Sequence, residues 1–167
     1  MIYALDLLLP PTAATLEHLI DKIYLDIDHI HDQSNDFKAQ YFSERVILAA
    51  RNVEVDTVNE SILERLPGES RTYTSADSAF IDGVLDERRW GHEYLNTIVM
   101  PGMPLHSTIL KVGCPIILLR NLDPSAGLCN GTRMIITGLR DHVLEARVLT
   151  GSHAGTTAFI PRTHVSP

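Results

Sequence analysis

Cysteine is nearly absent: Cys114 and Cys129 are the only two in 167 residues. Two are too few for a disulfide framework. We therefore read them as reduced, partly buried thiols and expect an intracellular protein. Lysine is almost as scarce, at Lys22, Lys38 and Lys111, and none of the three follows a glycine. A P-loop needs that Gly-Lys step, because the backbone cradles the phosphates while the ammonium reaches the β and γ oxygens. These residues therefore contain no standard P-loop. No apolar run approaches the roughly 18–20 residues that cross a bilayer. The short apolar stretch within Met1 to Pro11 has no basic residue ahead of it, so no secretory signal and no membrane partner are expected. There is no Gly-x-Ser-x-Gly elbow, no internal repeat and no low-complexity tract.

What is present is an ordinary soluble composition, 44% hydrophobic and 21% charged, enough for one domain or two small lobes. A chain of this length buries roughly 70% of its unfolded surface and needs neither disulfide nor metal to fold. The net charge of −7 argues against a generic polyanion binder. It is unevenly spread, however. Residues 1–100 carry 8 Lys/Arg and 18 Asp/Glu, whereas residues 101–167 carry 6 and 3. The C-terminal part is the one that can approach a phosphate backbone.

The first half alternates apolar runs with helical patterns. Ala4 to Leu9 reads as a strand stopped by Pro10-Pro11. Thr12 or Thr15 then offers an N-cap for a helix with an apolar stripe at Leu16, Leu19, Ile20, Ile23, Tyr24 and Ile27, ending near Asp28. His29 to Lys38 reads as a polar loop. Val46 to Ala50 reads as a strand buried on both faces. Asn52 then caps a helix with Val55, Val58, Asn59, Ile62 and Leu66 inward, ended by Pro67-Gly68. With a further strand at Arg71 to Ser75 this makes a βαβ unit, and so part of a parallel sheet.

The period then changes. Asp77 to Trp90 reads as irregular, and His92 to Ile98 as one or two helical turns. Short β-rich segments follow at Ile109 to Val112, Pro115 to Arg120, Thr132 to Leu139, Val143 to Leu149 and Thr156 to Ile160. Turn chemistry separates them: Asp123-Pro124, Asn130-Gly131, Asp141-His142 and Gly151-Ser152. Such a run predicts a small antiparallel barrel.

Two groups imitate metal sites. Asp26 to Asp32 holds His29, His31 and three carboxylates, but on a helix end or loop the two imidazoles diverge, and a solvated terminus is the expected reading. Cys114, Cys129 and His142 lack a tight Cys-x-x-Cys pair. Val84-Leu85-Asp86-Glu87 resembles the end of an acidic Walker B strand, with too short an apolar lead. No metal is expected.

Two stretches carry a family resemblance. One is Glu44 to Glu60 (ERVILAARNVEVDTVNE) with Leu66 to Glu69 and Tyr73 to Asp77 (YTSAD). The other is Leu110 to Arg133 (LKVGCPIILLRNLDPSAGLCNGTR), running on to Leu149-Thr150-Gly151 and Phe159 to Arg162 (FIPR). Both resemble the C-terminal motor region of Pif-type (petite integration frequency) DNA helicases, Helitron-like ones included. The resemblance implies an ATP- and Mg2+-dependent 5′-to-3′ motor on single-stranded DNA, nuclear or mitochondrial, of the kind used in DNA repair, recombination and telomere maintenance. It implies an α/β fold, a partial RecA-like second motor domain, plus a small all-β Src-homology-three-like barrel. Residues 1–43 would be a lead-in strand and helix, 44–100 the partial motor domain and 101–167 the barrel.

The family's Walker A and B motifs and its late Lys-Ser-Gln-Gly-type motif are not found in these residues. ATP turnover by the chain alone is therefore not expected, nor is a bound cofactor; the first RecA-like domain would be a partner, and self-association is possible. A remnant turned to protein or single-stranded DNA binding is the alternative. Within this frame Arg51 and Asn52, at a helix N-terminus that suits an anion, would face nucleotide. Lys111, Arg120, Asn121 and Arg133 flank the barrel's turns and could touch DNA phosphates. Tyr73 and Trp90 are candidates for stacking on bases, although an aromatic near a strand end is more often core.

Overall fold

The computed structural model describes residues 15–49, 51–76, 80–81, 84–85, 92–98 and 105–164. The chain divides into two compact units, Met1–Gly68 and Glu69–Pro167. The predicted strand at Ala4 to Leu9 and the side chain of Trp90 lie outside the described residues.

In the first unit, α1 (Leu16–Ile23) starts where the Thr15 hydroxyl accepts the His18 N–H at 3.3 Å. The helix stops four to five residues earlier than its apolar stripe predicts. Asp26 adopts φ 61°, a left-handed geometry that a short polar side chain tolerates, and the chain turns there. A 3-10 turn at Ile27–Asp32 then buries Ile27 and Ile30. The expected loop over 29–38 is corrected: its second half begins α2 (Asn35–Ser43), capped by the Ser34 hydroxyl on the Phe37 N–H at 3.2 Å. What stabilises these short helices is an aromatic core. Phe42 is 0% exposed, with Tyr41 edge-on at 5.1 Å and Tyr24 at 6.0 Å. The Tyr41 hydroxyl donates to Leu25 O at 3.0 Å, and the Arg45 guanidinium lies 4.3 Å above its ring. One such fully buried ring contributes roughly 1.5–3 kcal/mol of transfer free energy.

The third helix, α3 (Asn52–Arg65), buries Val58 and, just past its end, Leu66. Arg51, not Asn52, occupies the N-cap position, and no side chain caps the first turn. Val55 and Asn59 stay exposed. Arg65 near the C-terminus bonds Asp21 of α1 at 2.6 Å and Asp28 of the 3-10 turn at 2.9 Å.

Of the strand expected at Val46 to Ala50, residues 46–49 are described and do not form one. Residues 45–49 take no regular structure, and Val46 and Leu48 are 49% and 87% exposed. Strand geometry is held by hydrogen-bonded neighbours, and among the described residues none pairs with this segment. The βαβ unit falls with it, since β1 (Ser70–Thr74) pairs antiparallel with β4 (Ser107–Lys111), Ser70 facing Lys111 and Thr74 facing Ser107.

Every paired strand of the described residues is antiparallel. A small ribbon of β2 (Phe80–Ile81) and β3 (Val84–Leu85) interrupts the stretch read as irregular. A short helix α4 (His92–Leu95) precedes β4. Then β5 (Pro115–Ile117), β6 (Arg133–Leu139), β7 (Val143–Val148) and β8 (Thr157–Pro161) form a four-stranded meander in chain order. Alternation places Met134, Ala146 and Val148 inside with Leu118 and Leu128, covered by Ile116, Leu122, Ala158 and Ile160. A bulge between Ile136 and Gly138 leaves Thr137 as the extra residue and bends β6.

The β1–β4 ribbon is laced to the meander by side chains. Arg71 bonds Leu139 O at 3.2 Å and pairs with Asp141, the Tyr73 hydroxyl donates to Arg140 O at 2.8 Å, and Arg162 donates to Thr74 O at 2.9 Å.

Candidate nucleic-acid interface

In an antiparallel meander, successive connections alternate ends. The β5–β6 and β7–β8 loops therefore meet at one end of the sheet, and the β6–β7 turn lies at the other. Both loops at the first end are built by turn chemistry. Asp123 accepts the Ser125 and Ala126 N–H groups, and these bonds, with the Ser125 hydroxyl first, hold its carboxyl below the ordinary range. Gly127 continues the loop at φ 77°. The Thr132 hydroxyl donates to Gly127 O at 2.9 Å and accepts the Cys129 N–H at 3.1 Å. Gly131 supplies φ 85° in the Asn130-Gly131 turn, closed by Thr132 N–H to Cys129 O at 3.0 Å. Its own N–H reaches back to Leu118 O at 2.8 Å.

On the facing loop, Gly151 takes φ 89° and Gly155 N–H closes onto Val148 O at 2.9 Å. Ser152 Oγ lies 3.1 Å from His153 Nδ1, and the Thr156 hydroxyl holds His153 O at 2.7 Å. Between the loops is an open hollow of about 320 Å³, lined by Gly127, Cys129, Asn130, Gly131, Thr132 and residues 150–153. Among the described residues no carboxylate lines it.

Three of the four residues predicted to meet DNA gather around this end. Arg120 is exposed just after β5. Asn121 acts as a scaffold, its Oδ1 accepting the Asn130 N–H at 2.8 Å. Arg133 opens β6 opposite Ile117, half-buried, its carbonyl accepting the Leu149 N–H. Lys111 is apart from them: it precedes β5, where Gly113 N–H bonds Ile136 O at 2.7 Å, so strand β5 separates it from Arg120. Tyr73 spends its hydroxyl on Arg140 O, and Arg71 lies 5.4 Å from its ring.

Arg51 and Asn52 are in the other unit, both exposed. Arg51 Nε donates to Glu54 Oε1 at 2.8 Å across the first turn of α3. The dipole already has its anion in Glu54, which an incoming phosphate would have to displace. Among the described residues no group of three or more His, Cys, Asp or Glu could hold a metal ion. Asp28 is engaged by Arg65, whose hydrogen bond lowers its carboxyl below the usual range. Burial raises the Cys114 thiol. Asp86 and Glu87 lie outside the described residues, and no described helix is long and apolar enough to cross a membrane.

The hollow itself, with His153, Ser152 and Thr150, goes unseen in a residue-by-residue reading. The available signal was topological: loops one strand pair apart share an end, and each here is bracketed by glycines.

Residues 93–139, from within α4 through β4 and β5 to the end of β6, match the family model described as DNA helicase Pif1, 2B domain. The ATP-dependent DNA helicase PIF1 of Xenopus laevis is 32% identical over 90 residues, which are 53% of this chain and 12% of that protein. A solved structure of two coordinating Pif1 helicases unwinding forked double-stranded DNA is similar to 83% of this chain and 30% of that one, at 18% identity and a TM-score of 0.45. The chain thus spans a small part of the proteins it matches. The family model and the Xenopus relative agree on one family, the Pif1-type DNA helicases, and the resemblance read from the sequence holds.

Proposed function

We propose that this chain is a portion of a Pif1-type, ATP-dependent 5′-to-3′ DNA helicase, part of its second RecA-like motor domain together with a small Src-homology-three-like barrel. In isolation it binds single-stranded DNA through the β-rich unit and does not turn over ATP. The observation that supports this best is the 2B-domain match at residues 93–139, lying on the stretch of the chain where basic residues outnumber acidic ones.

ATP and Mg2+ belong to the parent motor. The residues present here do not compose a cradle for them: no lysine follows a glycine, and Arg51 at the α3 N-terminus is taken by Glu54. The phosphate-gripping groups then come from the first RecA-like domain, and we derive no nucleotide step through this chain.

Titration of a fluorescein-labelled single-stranded 12-mer across a salt series tests the reading. Counterion release gives an affinity that falls steeply with salt, and R120E with R133E weakens it several-fold at low salt. Binding that is absent, or insensitive to both salt and charge reversal, overturns DNA binding by this unit. Metal-dependent, DNA-stimulated ATP hydrolysis above background overturns the inert-alone part. Exposed Ile117 and Phe159 on the edge strands β5 and β8 favour a second reading, in which the barrel docks a protein partner. Salt-insensitive binding of such a partner would select it.

A further inference from the structure

We infer that the hollow between the β5–β6 and β7–β8 loops holds one unstacked base of a single strand, against the imidazole of His153. The inference rests on the DNA-binding reading above and adds to it a base-contacting site and its residue. At about 320 Å³ the hollow lies at the small end of the roughly 300–1,000 Å³ typical of small-ligand sites, so it takes one nucleotide unit and not a stack. His153 contributes the one aromatic ring among the described lining residues, and a histidine ring is a surface on which an unstacked base packs.

The ring is held in place. A Cβ on Gly127 would lie 2.5 Å from His153 Nδ1, so glycine there is what lets the imidazole seat against the neighbouring loop. Ser152 Oγ bonds Nδ1 at 3.1 Å and the Thr156 hydroxyl fixes the His153 carbonyl. The rest of the lining suits a polar, anionic guest. Asn130 and Thr150 bring amide and hydroxyl groups, three glycines expose backbone, and among the described lining residues no carboxylate repels a phosphate. Arg120 and Arg133 flank the β5–β6 loop and give the adjoining backbone its counter-charge.

Stacking and phosphate contact differ in their salt signature. Losing a stacked base lowers affinity at every salt concentration, whereas losing a phosphate contact lowers the salt slope by about one. The test uses the full chain, verified as folded by its melting curve, and fluorescein-labelled 12-mers, one intact and one carrying abasic positions. We expect H153A to bind the intact 12-mer about five-fold or more weakly with an unchanged salt slope, and H153F to retain most of the affinity. We also expect the abasic strand to bind H153A and the wild type equally. Wild-type affinity in H153A, alongside loss in R120E, overturns the stacking site and leaves the DNA-binding reading standing. A slope change of about one in H153A overturns it as well, by making His153 a phosphate contact. Absence of binding by the unaltered chain overturns both readings.

Discussion

Arg65 ties the helical unit together from a single side chain. Its guanidinium reaches Asp21 on α1 and Asp28 on the 3-10 turn, the carboxylates about half exposed and the arginine less so. Pairs this exposed contribute up to about 1 kcal/mol each. R65A should therefore lower unfolding stability by about 1 kcal/mol in urea titrations, and an unchanged midpoint would show the pairs contribute nothing. The pH dependence has a definite sign. Asp28 is held below its ordinary value of 3.8, chiefly by the Arg65 hydrogen bond, so its contribution is present above that value and is lost as pH falls through the lower, folded-state one. D28N should flatten the acid limb of the stability curve. Tyr41 titrates the other way. Burial raises its phenol from 10.0 to about 12, so its contribution is complete below pH 10 and disappears as pH rises through about 12. Tyr41 should ionise late, together with loss of helical circular dichroism. Ionisation of Tyr41 near pH 10 would contradict the buried phenol bonded to Leu25 O.

Turns and strands of the β-rich unit were largely legible because glycine, asparagine and proline mark them locally. The predicted strand starting at Pro115 begins there, and Val143 to Leu149 and Thr156 to Ile160 recur within one residue at either end. What failed was the element that needs partners. Val46 to Ala50 has the apolar composition of a central strand, yet composition supplies no hydrogen-bonding neighbour. The aromatic α2 failed for the opposite reason: its polar surroundings hid Ser34 as a cap and Phe37, Tyr41 and Phe42 as a packing set. Of the site, the basic residues were legible and the hollow was not, since it exists only where two loops meet. The two glycines of the β5–β6 loop should respond differently to alanine. Both lie at positive φ, but Gly131 has open space where a Cβ would go, whereas Gly127 faces His153. Thermal melts should give a cost of about 1 kcal/mol for G131A from backbone strain alone. They should give about 2–3 kcal/mol for G127A, which adds overpacking. Equal costs would mean that the imidazole moves aside freely.

At the scale of the whole molecule, the apolar run at 46–49, with Val46 and Leu48 exposed, should govern behaviour in solution. Leu48 at 87% exposure beside Val46 offers other copies an extended, sticky edge. We expect concentration-dependent self-association in light scattering over micromolar concentrations, relieved by L48E with little change in melting temperature. A monomer throughout would exclude this segment as the contact. The β-rich unit has a different kind of consequence, drawn from the bond between Arg162 and Thr74. The side chain of Arg162, just past the last strand, holds the carbonyl at the C-terminal end of the first at 2.9 Å. A clasp of that kind ties the outgoing end of the ribbon to the last strand of the meander, so the two should loosen together and protect their amides from exchange as one cooperative body.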